Sequence, residues 1–197
     1  MMATGSREIG RQLWLHKRII AVALVTVFAC ELALARNIME LCRLAVCTVW
    51  MVPAAVLDGI YGKLYHRWSA SMIAVGLIFA LTEEALGEGG YLASAAGGGI
   101  LFFALMLAVF LLSRGGMGFG DVCFAAGAGV LVGWDAVPAA FWLTFLLGGL
   151  MALKIYTSSM LKGGKPEQKI PLGPFLTAGS LLAMLYGQEM LRWYANV

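Results

Sequence analysis

Long apolar runs separated by short polar segments dominate the chain, and they predict a bundle of membrane-spanning helices. About 20 apolar residues carry an α-helix across the hydrocarbon core of a bilayer. Seven runs approach this length; the first and fifth are short, and we expect the Gly-rich fifth to be tilted or sheltered by its neighbours. The predicted spans are residues 19–35, 41–57, 70–87, 91–112, 121–134, 136–155 and 172–190. The predicted fold class is all-α, a polytopic helical membrane bundle with about seven transmembrane helices, or six if the first two runs form a hairpin that does not cross fully.

The composition agrees with this pattern, since 61% of the residues are hydrophobic and only 13% are charged. In soluble domains about half of the residues are apolar and about a quarter are charged. No dense basic patch is present, so we expect no nucleic-acid partner. The four cysteines show no CxxC spacing and lie in or beside apolar runs, so they are predicted to be small buried hydrophobic residues. Neither a metal nor a cofactor is predicted.

The distribution of basic residues predicts that the N-terminus lies in the cytoplasm. With that orientation, three basic residues fall on outer segments, namely Arg36, Arg43 and Arg192. The other eleven fall on inner segments: Arg7, Arg11, Lys17, Arg18, Lys63, Arg67, Arg114, Lys154, Lys162, Lys165 and Lys169. The predicted organisation is a cytoplasmic N-terminal segment at residues 1–18, a single transmembrane domain at 19–190 and a short C-terminal tail at 191–197.

Two features inside the spans predict contacts between helices. Ala125, Gly129 and Gly133 share one helix face, where the backbone of a neighbouring helix can approach closely. Glu31 is an acidic residue within the first apolar run. It either faces the interior of the bundle or marks a span that stops early.

The chain contains three aspartates, and two of them stand at the boundaries of predicted spans. Asp135 lies in an outer turn and is interpreted as a solvated loop residue. Asp58 ends the second span and Asp121 opens the fifth, so the topology places both at the inner face. An ionisable group at membrane depth is costly and is by default a candidate functional residue.

Two carboxylates at one depth on different helices predict an acid–base pair. If they come close together they cannot both ionise freely, so one keeps a proton and a water molecule can lie between them. The ionised carboxylate then takes a proton from the attacking water while its partner protonates the carbonyl oxygen of a peptide bond. Two alternatives remain open: a small transporter or channel in which the same aspartates carry protons or cations, and an inactive scaffold of the same fold.

Glycine and proline surround the two candidate residues. Gly118 and Gly120 permit close backbone packing or positive φ just before Asp121, which would lie near a helix N-terminus where negative charge is favourable. The alternative is a flexible loop followed by an aspartate that only caps the helix. Pro171 and Pro174 either start the last span or line the site at an irregular helix start.

Three segments resemble the motifs of type IV prepilin peptidases. Gly118-Phe119-Gly120-Asp121 is similar to the GxGD signature of that family. Asp58 and the basic-aliphatic stretch after it, which includes Lys63, resemble the first catalytic aspartate and its trailing segment. The segment 169–179 is similar to the family's IPxGPxLxxG motif. The family's Ile-Pro-Asn is replaced here by the residues at 64–66.

The resemblance implies a membrane aspartyl endopeptidase with Asp58 and Asp121 as catalytic residues. The substrate would be a prepilin-like or pseudopilin-like protein with a short basic leader, a glycine before the scissile bond and a following hydrophobic helix. The leader would be removed at the cytoplasmic face of the cell membrane, and membrane lipid is the other expected partner. The chain resembles the short form without the Cys-rich domain, so we expect cleavage without methyl transfer. The residues expected to shape the loops and the substrate site are Gly118, Gly120, Lys63, Pro171, Gly173 and Pro174.

Overall fold

The computed structural model describes residues 2–35, 38–86, 89–114, 116–161 and 170–195, and within these ranges the chain is helical without strands. A short 3-10 helix, Trp134–Ala136, lies between α6 and α7. The basic residues Arg36, Lys162, Lys165 and Lys169 of the orientation argument lie outside the described ranges. The helices are α1 (Met2–Leu15), α2 (Lys17–Leu34), α3 (Ile38–Tyr61), α4 (His66–Ala85), α5 (Tyr91–Leu112), α6 (Phe119–Val132), α7 (Val137–Leu161) and α8 (Gly173–Ala195).

Each predicted span coincides with one helix from α2 to α8, and the prediction of an all-α polytopic membrane bundle is confirmed. Helices are expected in lipid because they satisfy every backbone hydrogen bond within the segment. Four segments among the described residues are long and apolar enough to cross a membrane: Glu40–Tyr61, His66–Ala85, Tyr91–Leu112 and Trp134–Met160. Large apolar side chains cover their outer faces.

Helix α6 is short, with 14 residues, and it forms the centre of the bundle. Nine of these residues are buried, and α4 and α5 both pack along the helix. Phe124 and Ala128 belong to the main hydrophobic core together with Met72 of α4 and Phe102 of α5. The prediction that neighbours shelter the Gly-rich fifth span is therefore confirmed.

Helices α5 and α6 approach each other closely through their backbones. A methyl group added to Gly129 would overlap the carbonyl of Gly98, and it would lie 2.8 Å from Cβ of Phe102. Small residues allow such close approach of helices in membranes. The predicted small-residue face is confirmed at Gly129, whereas Gly133 follows the end of α6 with φ +84°.

We predict that Gly129→Ala destabilises the bundle, because the added methyl group can fit only if α5 and α6 move apart. Overpacking of this kind costs about 1–3 kcal/mol. The measurement is thermal unfolding in detergent, with Gly149→Ala of α7 as the matched control because a Cβ at Gly149 meets nothing within 4 Å. Equal unfolding temperatures for the two variants would contradict the tight contact between α5 and α6.

Glu31 faces the interior of the bundle and is 1% exposed, so the first of its two predicted alternatives is correct. Helix α2 continues beyond it to Leu34, and the Thr48 hydroxyl of α3 donates a hydrogen bond to its carboxylate. A second acidic residue, Glu83 of α4, is also buried and forms an ion pair of 2.5 Å with Arg43. Both acidic groups tie neighbouring helices to α3.

The prediction that all four cysteines are buried is wrong for Cys30 and Cys42. Both are free thiols on exposed faces of α2 and α3, because those faces point away from the neighbouring helices. Cys47 is buried as predicted, and Cys123 is half-buried. In a membrane bundle, contact with lipid stabilises an apolar side chain about as much as burial in the protein interior does. An apolar run alone therefore does not predict which of its faces is buried.

Candidate active site

Asp58 lies in the last turn of α3, and its backbone helps to end that helix. Gly62 adopts φ +62°, and its N–H donates a hydrogen bond of 2.7 Å to the Asp58 carbonyl. A left-handed glycine directly after a helix is a common C-terminal cap, and other residues adopt this conformation at a cost. The side chain of Asp58 is 4% exposed. The sequence therefore places a buried carboxylate next to an abrupt helix end.

The start of α8 holds the Asp58 carboxylate. The N–H of Gly173 donates a hydrogen bond of 2.8 Å to Oδ2 of Asp58. The first N–H groups of a helix have no partner within the helix, and the helix dipole favours negative charge there. A Cβ at Gly173 would lie 2.7 Å from the same oxygen, so only glycine fits without a shift.

Of the two prolines, Pro174 lies at the start of α8 and also near the residue that follows Asp58. Pro174 occupies the first turn of α8, where its missing N–H costs nothing. Its ring also lies 3.7 Å from the Cβ position of Gly59, which follows Asp58 directly. Pro171 is half-buried and precedes the helix.

Further contacts fix α8 along the length of α3. The Thr177 hydroxyl donates a 3.4 Å hydrogen bond to the Met51 carbonyl, and the Cys47 thiol lies 3.5 Å from the sulfur of Met184. These contacts recede along both helices from the Asp58–Gly173 hydrogen bond, so the two helices run antiparallel. The position of the Asp58 carboxylate therefore depends on the whole α3–α8 interface.

Asp121 is the third residue of α6, and the N-terminal cap of this helix is Gly118. The Asp121 N–H donates a 3.1 Å hydrogen bond to the Gly118 carbonyl, and the Gly118 N–H donates to the Asp121 carboxylate. This is the half of a capping box in which an acidic side chain reaches back to the cap residue. The alternative of an aspartate in the cap position itself is wrong by three residues.

Gly120 is required for close packing, and positive φ is not involved. Gly118 has φ −80°, and Gly120 lies within the helix, so neither glycine uses the positive φ that glycine permits. A Cβ at Gly120 would lie 3.1 Å from the Leu64 carbonyl oxygen and 3.2 Å from Leu64 Cβ. The segment between α3 and α4 thus packs directly on the residue before Asp121.

The structure brings the two predicted carboxylates to the same end of the bundle. Leu64, six residues after Asp58, packs on Gly120 directly before Asp121, so the two carboxylates lie near each other. Asp58 is buried and Asp121 is half-buried, so the two side chains differ in their access to solvent. Carboxylates in such proximity favour sharing one proton, the arrangement that acid–base activation of water needs.

The surroundings of the pair include residues to which the sequence analysis gave no role. Phe119, the variable residue of the GxGD segment, packs against Phe110 of α5 with ring centroids 5.7 Å apart and against His66 of α4 at 6.0 Å. The sequence could have indicated this aromatic contact, because Phe110 and Phe119 lie nine residues apart on either side of a short glycine-containing loop.

Lys63 is exposed beside a cleft whose walls include Leu57. Among the described residues, no three histidine, cysteine or acidic side chains are grouped to hold a metal ion.

This bundle and its paired carboxylates define an integral membrane protein with an acidic site at one end of its core. Residues 45–153, more than half of the chain, match the profile of the Type IV leader peptidase family. The chain belongs to that family. The matched region contains both aspartates and the helices α4, α5 and α6.

Curated relatives carry the name prepilin leader peptidase/N-methyltransferase. The chain is 32% identical over 120 residues to the protein of Aeromonas hydrophila, a match that covers 60% of this chain and 40% of the relative. Identity is 31% over 122 residues with the protein of Aeromonas salmonicida (strain A449), covering 61% and 41%. It is 36% over 103 residues with that of Bacillus subtilis (strain 168), covering 52% and 39%. The matches span about two fifths of these relatives, and no solved structure matches the chain.

Proposed function

We propose that the protein is a membrane-embedded aspartyl endopeptidase that removes the leader peptide of prepilin-like proteins. The observation that carries this proposal is that Asp58, at the end of α3, and Asp121, at the start of α6, lie at one end of the bundle, where Leu64 packs on Gly120. The relatives described above are named leader peptidases, which favours peptide cleavage over the alternative of proton or cation transport. Gly118, Gly120, Gly173 and the neighbouring loops position the two acidic groups.

The proposed reaction uses a water molecule held between the carboxylates. The ionised carboxylate takes a proton from this water while the water oxygen attacks the carbonyl carbon of the scissile bond. The other carboxyl group, which is protonated, donates its proton to the carbonyl oxygen. The tetrahedral intermediate then returns one hydroxyl proton to the carboxylate that had protonated it and breaks its C–N bond, and the leaving nitrogen receives the proton taken from the water. The products are a new carboxyl end on the leader and a new amino end on the mature protein.

Asp58 and Asp121 can divide these roles because their surroundings differ. The Gly173 N–H holds one Asp58 oxygen, so the Asp58 carboxylate has a fixed orientation. Asp121 is more exposed and is held by the cap of its own helix. Both hydrogen bonds come from backbone N–H groups at helix N-termini, which stabilise negative charge.

The proposed site faces the cytoplasm, and the membrane is the inner or plasma membrane of the cell. This orientation is supported by the eleven basic residues that the N-in topology assigns to inner segments, against three on outer segments. A substrate with a short basic leader and a following apolar helix would keep its leader in the cytoplasm while the helix lies in the bilayer. The scissile bond would then lie at the depth of Asp58 and Asp121.

The test is cleavage of a prepilin-type protein by this chain in purified membranes. We expect a shortened product whose new N-terminus follows the glycine at the end of the leader. Mass spectrometry identifies this product and also shows whether its new N-terminus is methylated. A substrate with valine in place of this glycine is the control and is expected to remain intact. Failure of the folded chain to cut any of several prepilin-type substrates would refute the proposed function.

A further inference from the structure

We propose that α1 is a positioning element for the acidic pair. Gln12 and His16 at its C-terminal end form hydrogen bonds with the segment 61–65. This segment packs against the start of α6, which carries Asp121. The inference rests on the proposed function and extends it to a part of the chain outside the region that matches the family, which begins at residue 45.

One face of α1 packs against the bundle. Ile9 and Gln12 are each only 8% exposed, and His16, which follows the helix, is half-buried. Their spacings of three and four residues place them on one side of a helix. Arg11 and Trp14 point the other way and are exposed. A polar glutamine is seldom this buried unless it has a hydrogen-bonding partner, so the packed face is expected to hold a specific polar contact.

That contact joins α1 to the residues that follow Asp58. The Tyr65 hydroxyl donates a hydrogen bond of 2.8 Å to Oε1 of Gln12. Nε2 of His16 and the Tyr61 hydroxyl share a hydrogen bond of 2.9 Å, and the two rings meet edge to face with centroids 5.6 Å apart. The segment between α3 and α4 is therefore held at both of its ends by the C-terminal end of α1.

The held segment is in turn the surface on which α6 begins. Tyr65 is the N-terminal cap of α4, and its neighbour Leu64 approaches the Cβ position of Gly120 at 3.1–3.2 Å through its carbonyl oxygen and Cβ. Asp121 follows Gly120 directly. On the other side, Tyr61 is the last residue of α3, three residues after Asp58. A displacement of the segment 61–65 therefore changes the distance between the two carboxylates.

The test is a double-mutant cycle on the Gln12–Tyr65 hydrogen bond in the full chain, read as steady-state cleavage of a prepilin-type substrate. We expect Gln12→Leu and Tyr65→Phe each to lower kcat about 3- to 10-fold, the effect of one lost hydrogen bond. KM should change little, and the double variant should be no slower than either single variant because both remove the same contact. Gln12→Glu keeps an acceptor oxygen and should restore most of the rate.

Arg11→Leu is the matched control, since it places leucine on the exposed side of the same helix and should leave kcat unchanged. Hydrogen exchange of the segment 61–65 supplies a readout independent of cleavage and should be faster in Gln12→Leu. If wild type cleaves the substrate and Gln12→Leu has the same kcat, the positioning role is wrong and the proposed function stands. The same holds if the decreases in kcat of the two single variants multiply in the double variant. Absence of cleavage by wild type would refute the proposed function, and the positioning role with it.

Discussion

Asp58→Asn and Asp121→Asn are each expected to lower the rate of leader cleavage by roughly 100- to 10,000-fold, the usual contribution of a positioned acid or base. Asparagine has nearly the same shape as aspartate but can neither take the proton from water nor return one to the substrate. Both variants should fold normally, because asparagine keeps the size of the side chain and an oxygen that can accept a backbone hydrogen bond. The measurement is the initial rate of product formation in membranes with equal amounts of enzyme.

Asp135→Asn is the matched control for this pair of variants. Asp135 is exposed in the short 3-10 helix before α7, at the end of the bundle opposite Asp58 and Asp121. The same chemical change there should leave the rate unaltered. If the variants at 58 and 121 cleave as fast as the variant at 135, the two carboxylates do not perform the reaction.

Gly173→Ala is expected to lower the rate by about 10- to 100-fold, although the substitution adds only one methyl group. Its Cβ would lie 2.7 Å from Oδ2 and 3.0 Å from Cβ of Asp58, so either the start of α8 or the carboxylate must move. The movement would also lengthen the 2.8 Å hydrogen bond from the Gly173 N–H. A displacement of about 1 Å in a catalytic group can reduce a rate on the order of 100-fold.

Gly149→Ala provides the comparison for this prediction, since it adds the same methyl group where no atom lies within 4 Å. Rates should be normalised to the amount of folded enzyme, measured by its unfolding transition in detergent. A Gly173→Ala variant with the wild-type rate per folded molecule would show that Asp58 does not depend on the start of α8. Pro174 should be left unchanged in all of these variants.

The fold could be predicted closely because the bilayer imposes a simple rule on the sequence. Long apolar runs must form helices there, so the positions of α2 to α8 follow from the lengths and boundaries of the runs. The burial of individual faces could not be predicted in the same way. Cys30 and Cys42 are as apolar as Cys47 but point outward, because lipid and protein interior are similar environments for a thiol.

The two acidic residues of the candidate site could be found from the sequence because the chain has only three aspartates, and two of them stand at span boundaries on the same predicted face. The contacts that orient them could not, since they join residues far apart in the chain. Asp58 meets Gly173 across 115 residues, and Tyr65 meets Gln12 across 53. The sequence also could not decide whether Gly118 or Asp121 caps α6, because glycine and aspartate both occur as N-terminal caps.

The length of α6 has a consequence for the supply of water to the reaction. Fourteen residues of helix extend about 21 Å, whereas the hydrocarbon slab is about 30 Å thick. A helix this short cannot span the slab by itself, so the backbone beyond its ends must be bordered by protein or by water at membrane depth. We expect water to enter beside Gly118 and Phe119, which are exposed at the start of α6, and to reach the two carboxylates from that side.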